Sequence, residues 1–166
     1  MKKLLINSEN FDFYLKKILQ FKKCKNIASG RIDIENIKPS EKVEMVIFLI
    51  SSYKTAKALT YKILFWEEDK KIEDFFKFSF PNKRYKKTIS YKNGKKAGVI
   101  YVEDIKIDFL FLEELLNNHF NFELAKEPSQ NIRIQLIINF EYFNILFDIY
   151  DDRGLNIFHI PVSKKR

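Results

Sequence analysis

The chain has 166 residues, 46% of them hydrophobic and 16% aromatic, and a formal net charge of +8. That length and apolar content suit a single domain over 1–166 with a sizeable core, and four glycines and four prolines exclude collagen-like or linker-rich character. No segment approaches the roughly 18 consecutive apolar residues of a membrane span.

The N-terminus starts basic, but its apolar run is only Leu4-Leu5-Ile6. A signal peptide needs roughly 7–15 such residues, so a cytoplasmic protein is expected. Cys24 is the single cysteine, which excludes an internal disulfide and leaves a structural thiol.

In chain order, Ser8 or Asn10 caps a first helix, with Phe11, Tyr14, Leu15, Ile18 and Leu19 at helical spacing. Residues 24–42 are polar and irregular, with a short extended piece at 31–34. The β-branched run 43–51 reads as a buried strand. Residues 55–66, with Ala56, Leu59 and Ile63 at helical spacing, read as a second helix. The stretches 72–80, 85–91 and 98–103 read as strands, the last two joined by Asn93-Gly94, whose residue types suit a type I′ hairpin. Asp108 caps a third helix carrying Phe109, Leu112, Leu116 and Phe120, and strands follow at 132–140, 143–150 and 155–160. The order predicts an α+β fold, an antiparallel or mixed sheet of five to seven strands with about three helices packed on it.

Charge is concentrated between Asn82 and Lys96, where Lys83, Arg84, Lys86, Lys87, Lys92, Lys95 and Lys96 stand without an acidic residue. With Tyr85 and Tyr91 interleaved, this segment suits single-stranded nucleic acid, a solvated edge hairpin or an acidic protein surface. His119 and His159 lack companions at metal-ligand spacing, and the adjacent Glu113 and Glu114 diverge on a helix, so neither pair suggests catalysis. No phosphate-binding, zincin or nucleophile-elbow motif occurs, and no metal or cofactor is expected.

The most distinctive stretch is Tyr150-Asp151-Asp152-Arg153-Gly154, between two alternating apolar runs. Its residues suit a hairpin corner in which Gly154 takes a left-handed conformation and Arg153 pairs with Asp148, Asp151 or Asp152. The same residues could serve as a recognition site. As a metal site the segment lacks further ligands nearby.

Residues from Leu115 onward, with Asn121-Phe122, Pro128 and the strand ending in Tyr150-Asp151-Asp152-Arg153-Gly154-Leu155, resemble the last part of a bacterial domain family of unknown function. That family's hallmark is an apolar strand ending in Tyr-Asp-Asp-Arg-Gly followed by Leu or Met. The resemblance covers the last third of the chain, and 43–66 match only loosely. Similar proteins continue into a C-terminal helix, whereas this chain reaches Ile160-Pro161-Val162 and a basic tail. Many such proteins are encoded beside polymorphic toxins, including those of contact-dependent growth inhibition. The resemblance therefore implies an immunity protein, not an enzyme, that binds a cognate toxin domain; the candidate contacts are Tyr150, Asp151, Asp152 and Arg153, and, from the charge cluster, Lys83, Arg84, Tyr85, Lys86 and Lys87.

Overall fold

A computed structural model of the chain describes residues 7–13, 15, 16, 28–53, 55, 56, 58–66, 69–92, 95–122, 124–127, 129–151 and 153–161. The elements are β1 (Ala28–Asp33), α1 (Pro39–Ser51), β2 (Ala58–Phe65), α2 (Asp69–Asp74) running into a π-helical turn (Phe75–Ser79), β3 (Tyr85–Lys92), β4 (Lys95–Asp104), α3 (Phe109–Phe122), β5 (Ile132–Asn139), β6 (Phe143–Ile149) and β7 (Gly154–Pro161). Ahead of them, residues 11–13 form a helical turn. The strands make one antiparallel sheet in the order β1-β7-β6-β5-β2-β4-β3. The fold is α+β, as the order of predicted elements implied.

Three predicted elements differ from the structure. The run 43–51 is helical, because Pro39 sits at a first-turn position where its missing N–H is harmless, and Val43, Val46 and Ile50 fall on one buried face. Residues 55–66 are not a helix; most of them form β2, which lies between β5 and β4 with Leu59, Tyr61, Ile63 and Phe65 in the core. Thr60 and Lys62, on its other face, are buried too, so the two-residue alternation that marks a half-exposed strand is blurred. Residues 72–80 are not a strand; Ile72, Phe75 and Phe76, three and four positions apart, all turn inward from α2 and the π turn.

The main core lies between one sheet face and α1, α2 and α3. On the opposite face a smaller cluster joins Phe11 to Ile137, Leu146 and Phe158. Asp12 pins that turn to the sheet by an ion pair with Lys62 and by accepting the Tyr101 hydroxyl at 2.9 Å. Burial opposes ionisation of Asp12, but these two bonds outweigh it and hold the carboxyl below its ordinary range.

Next to this cluster, register lines up Lys86, Tyr101, Lys62, Gln135, Asp148, Asn156 and Arg31, one residue from each of the seven strands. A polar rung therefore crosses the whole sheet. Three of its members, Lys62, Gln135 and Asp148, are buried. Such groups need partners inside the fold, and Asp12 and Arg133 supply two of them.

Candidate functional site

The connection from β6 to β7 is closed by Asp151. Its Oδ1 accepts the backbone N–H of Arg153 (3.0 Å) and Gly154 (3.2 Å), and its Oδ2 accepts the Arg153 guanidinium (2.8 and 3.1 Å). An Asp that binds amides two and three residues on is an Asx turn. From behind, His119 of α3 donates Nδ1–H to the Ile132 carbonyl at 2.6 Å, while its Nε2 faces the Asp151 carbonyl at 3.5 Å. From the side, the Ile34 N–H reaches the Arg153 carbonyl at 2.8 Å.

Tyr150 lies beside this lock, its ring facing the guanidinium groups of Arg31 (5.7 Å) and Arg133 (5.8 Å). Asp148 pairs with Arg133 and not with Arg153. The fold thus brings Tyr150, Asp151 and Arg153 together, while Asp152 lies outside the described residues. The carboxylate of Asp151 is fully engaged within its own turn, which makes the motif first of all a corner.

Burial opposes ionisation of Asp151, but its bonds from the Arg153 side chain and turn amides outweigh it and lower its pKa. A folded pKa below the unfolded value of about 3.9 gives stability that is present above that pH and lost as pH falls through the folded value. Asp151→Asn should therefore melt below wild type at pH 7, with the gap closing below about pH 4. Thermal denaturation at stepped pH measures this; a gap that stays constant to pH 2 would show that the charge is irrelevant.

Gly154 differs from expectation. Its backbone is not in the left-handed region, so the turn does not require glycine for that reason. The constraint is spatial: a Cβ there would stand 3.0 Å from the Ile32 carbonyl oxygen and 3.2 Å from the Arg31 guanidinium. Glycine lets β1 close on the start of β7, where Asp33 and Gly154 are paired. Gly154→Val should cost about 1–3 kcal/mol by overpacking, read as a lower urea midpoint. An unchanged midpoint would mean that β1 yields freely.

The basic segment is divided by its partners. Lys83 donates to Asp108 (2.7 Å) and Asp104 (3.0 Å) and lies 4.7 Å above the Phe111 ring. Burial works against its charge, but the two carboxylates more than offset this and raise its pKa. Lys87 pairs with Glu73 at 2.7 Å and covers Phe65. Arg84 and Lys86 are exposed and have no ion pair among the described residues. Tyr85 packs its ring 4.4 Å from Phe76 yet keeps an exposed edge. Asn93 and Gly94, like Cys24 and Pro128, lie outside the described residues.

A cleft of 440 Å³ opens beside Lys83, lined also by Phe80, Arg84, Glu103, Asp104 and Asp108. Lys83 binds both Asp104 and Asp108, and Glu103 accepts the Ser8 N–H at 2.7 Å. In the core the Tyr61 hydroxyl is buried with no hydrogen-bond partner among the described residues, and burial with the nearby Asp104 and Asp108 pushes its pKa far upward. Tyr61→Phe should thus raise stability by about 1 kcal/mol, since it removes only an unsatisfied group. A lower melting temperature would reveal a partner for that hydroxyl.

Sequence reasoning missed the outer side of α1 and the exposure of Leu110 on α3. Phe48 of α1 and Leu110 of α3 project into solvent, accompanied by exposed Glu41, Glu44, Glu113 and Glu114. The helical period of 39–51 was the signal that would have revealed the α1 face.

Among the described residues no helix is long and apolar enough to cross a membrane, and no group of three or more His, Cys, Asp or Glu is placed to hold a metal ion. No protein-family model matches the chain, and no curated protein or solved structure matches it.

Proposed function

We propose that the protein is an immunity-type binding protein, which acts in the cytoplasm without catalysis and neutralises a bacterial toxin domain by stoichiometric association. The observation that carries this reading is the exposure of large apolar side chains among charged ones: Phe48 (71%), Leu110 (72%), Phe78 (70%) and Tyr142 (66%). Aromatic and aliphatic groups held in solvent by a rigid fold supply the anchors around which protein interfaces form, with the charged rim steering encounter. The toxin as partner rests on the Tyr150–Gly154 resemblance.

A second reading assigns nucleic acid to the segment from Lys83 to Lys87. Arg84, Tyr85 and Lys86 support it, since two exposed cations without an ion pair among the described residues flank an aromatic edge. Lys83 and Lys87 count against it, because a phosphate would have to displace carboxylates already bound.

Co-purification of the tagged protein from its native cells in moderate salt, with mass spectrometry and a native mass, separates the two. The expected result is a one-to-one complex with a protein whose toxicity is relieved by co-expression. Recovery of nucleic acid alone, lost when Arg84 and Lys86 are changed to Glu, would replace the first reading with the second.

A further inference from the structure

The geometry points to the outer side of α1 and α3 as the docking surface, and to a protein with a Lys- and Arg-rich face around an apolar socket as its occupant; this deepens the binding reading above and rests on it. On α1, Glu41, Glu44 and Phe48 recur at three and four residues, which places them on one stripe. That stripe is turned away from the buried Val43, Val46 and Ile50. On α3, Leu110, Glu113 and Glu114 make the corresponding stripe, turned away from Phe111, Leu112, Leu115 and Leu116. The two helices pack on one another, with Lys42 in the first turn of α1 lying 5.9 Å over the Phe120 ring in the last turn of α3.

Charge identifies the occupant. Lys42 is the one Lys or Arg within either helix, and it is buried. The exposed cations nearest in sequence, Lys38 and Lys106, lie before the first residue of each helix. A protein of net charge +8 therefore presents here four exposed carboxylates and no exposed cation on the helices themselves. At contact range such a face disfavours nucleic acid and acidic proteins and favours a basic one. Phe48 and Leu110 give it apolar anchors, because their apolar surface gains by leaving water while the carboxylates on the rim stay hydrated.

The experiment places a photo-reactive phenylalanine at position 48, 110 or, as a reference on the β5–β6 connection, 142, in the full chain expressed in its native cells. The expected result is one protein cross-linked from both 48 and 110 but not from 142, attached within a Lys- and Arg-rich face. The yield should fall about tenfold when Glu41, Glu44, Glu113 and Glu114 are all changed to Lys, and less for the four Gln changes, which keep shape and lose charge. A retained melting temperature excludes unfolding as the cause, and the Gln variant carries the test if the Lys variant fails to fold. Cross-linking from 142 alone, or loss of no yield in a folded charge variant, would overturn this face and leave the binding reading standing. Cross-linking to a second copy of the chain would overturn the basic partner. Failure to capture any protein from all three positions would overturn both.

Discussion

Phe111→Ala is expected to lower the free energy of unfolding by about 3–5 kcal/mol. The Phe111 ring is fully buried and faces four others, Phe80 at 5.1 Å, Tyr61 at 5.3 Å, Phe76 at 5.9 Å and Phe75 at 6.2 Å. Those rings come from β2, the π turn and the residue after it, so one side chain of α3 joins three stretches of sequence. Alanine would leave a cavity that no single neighbour can fill, and Lys83, 4.7 Å above the ring, would lose the surface it rests on. Leu110→Ala is the matched reference, one residue earlier and mostly exposed, with an expected effect within about 0.5 kcal/mol. Urea denaturation of both measures the difference. A Phe111→Ala cost below about 1 kcal/mol would mean that the cluster collapses readily and that α3 is held elsewhere.

The same cluster shows what could be read from the sequence. α3 was legible at its start, because Asp108 accepts the Phe111 N–H at 3.1 Å as an N-cap does, and along its length, because its apolar residues keep helical spacing. β6 and β7 were legible because alternation and a local turn mark them. Residues 43–51 misled because Val and Ile favour strands, whereas burial of one helical face decides. β2 misled for the opposite reason: a central strand buried on both sides loses its alternation, and Lys62 sits inside because Asp12 travels fifty residues to meet it. The Tyr150–Gly154 corner was readable because Asp151, Arg153 and Gly154 are sequence neighbours. Its supports were not, since Arg31 and Arg133 arrive from β1 and β5 through sheet register and His119 arrives from α3 through the packing of that helix. The acidic helical face stayed hidden for a related reason, because Glu41, Glu44 and Phe48 share a stripe only once 39–51 is a helix.

Arg133→Ala is expected to destabilise the fold by about 2–3 kcal/mol, discounted from the larger cost of breaking a fully buried pair because the arginine is partly exposed. Its guanidinium holds the buried Asp148 by three contacts, 2.7 Å to Oδ2 and 2.8 and 3.1 Å to Oδ1. Gln135 adds an amide at 3.0 Å. Without the arginine, the carboxylate keeps one neutral donor in the middle of the polar rung, next to Asn156 of β7. Asp148→Ala should cost less, because the arginine left behind still reaches water. The Gln135 amide, whose oxygen already lacks a partner among the described residues, then loses its acceptor as well. The double variant should therefore be more stable than Arg133→Ala alone, since removing the stranded charge relieves most of the damage. Chemical denaturation of the four proteins gives the coupling directly. If the double variant is instead the least stable, the pair contributes through packing of the arginine stem and the Tyr150 ring, and the rung is held by shape more than by charge.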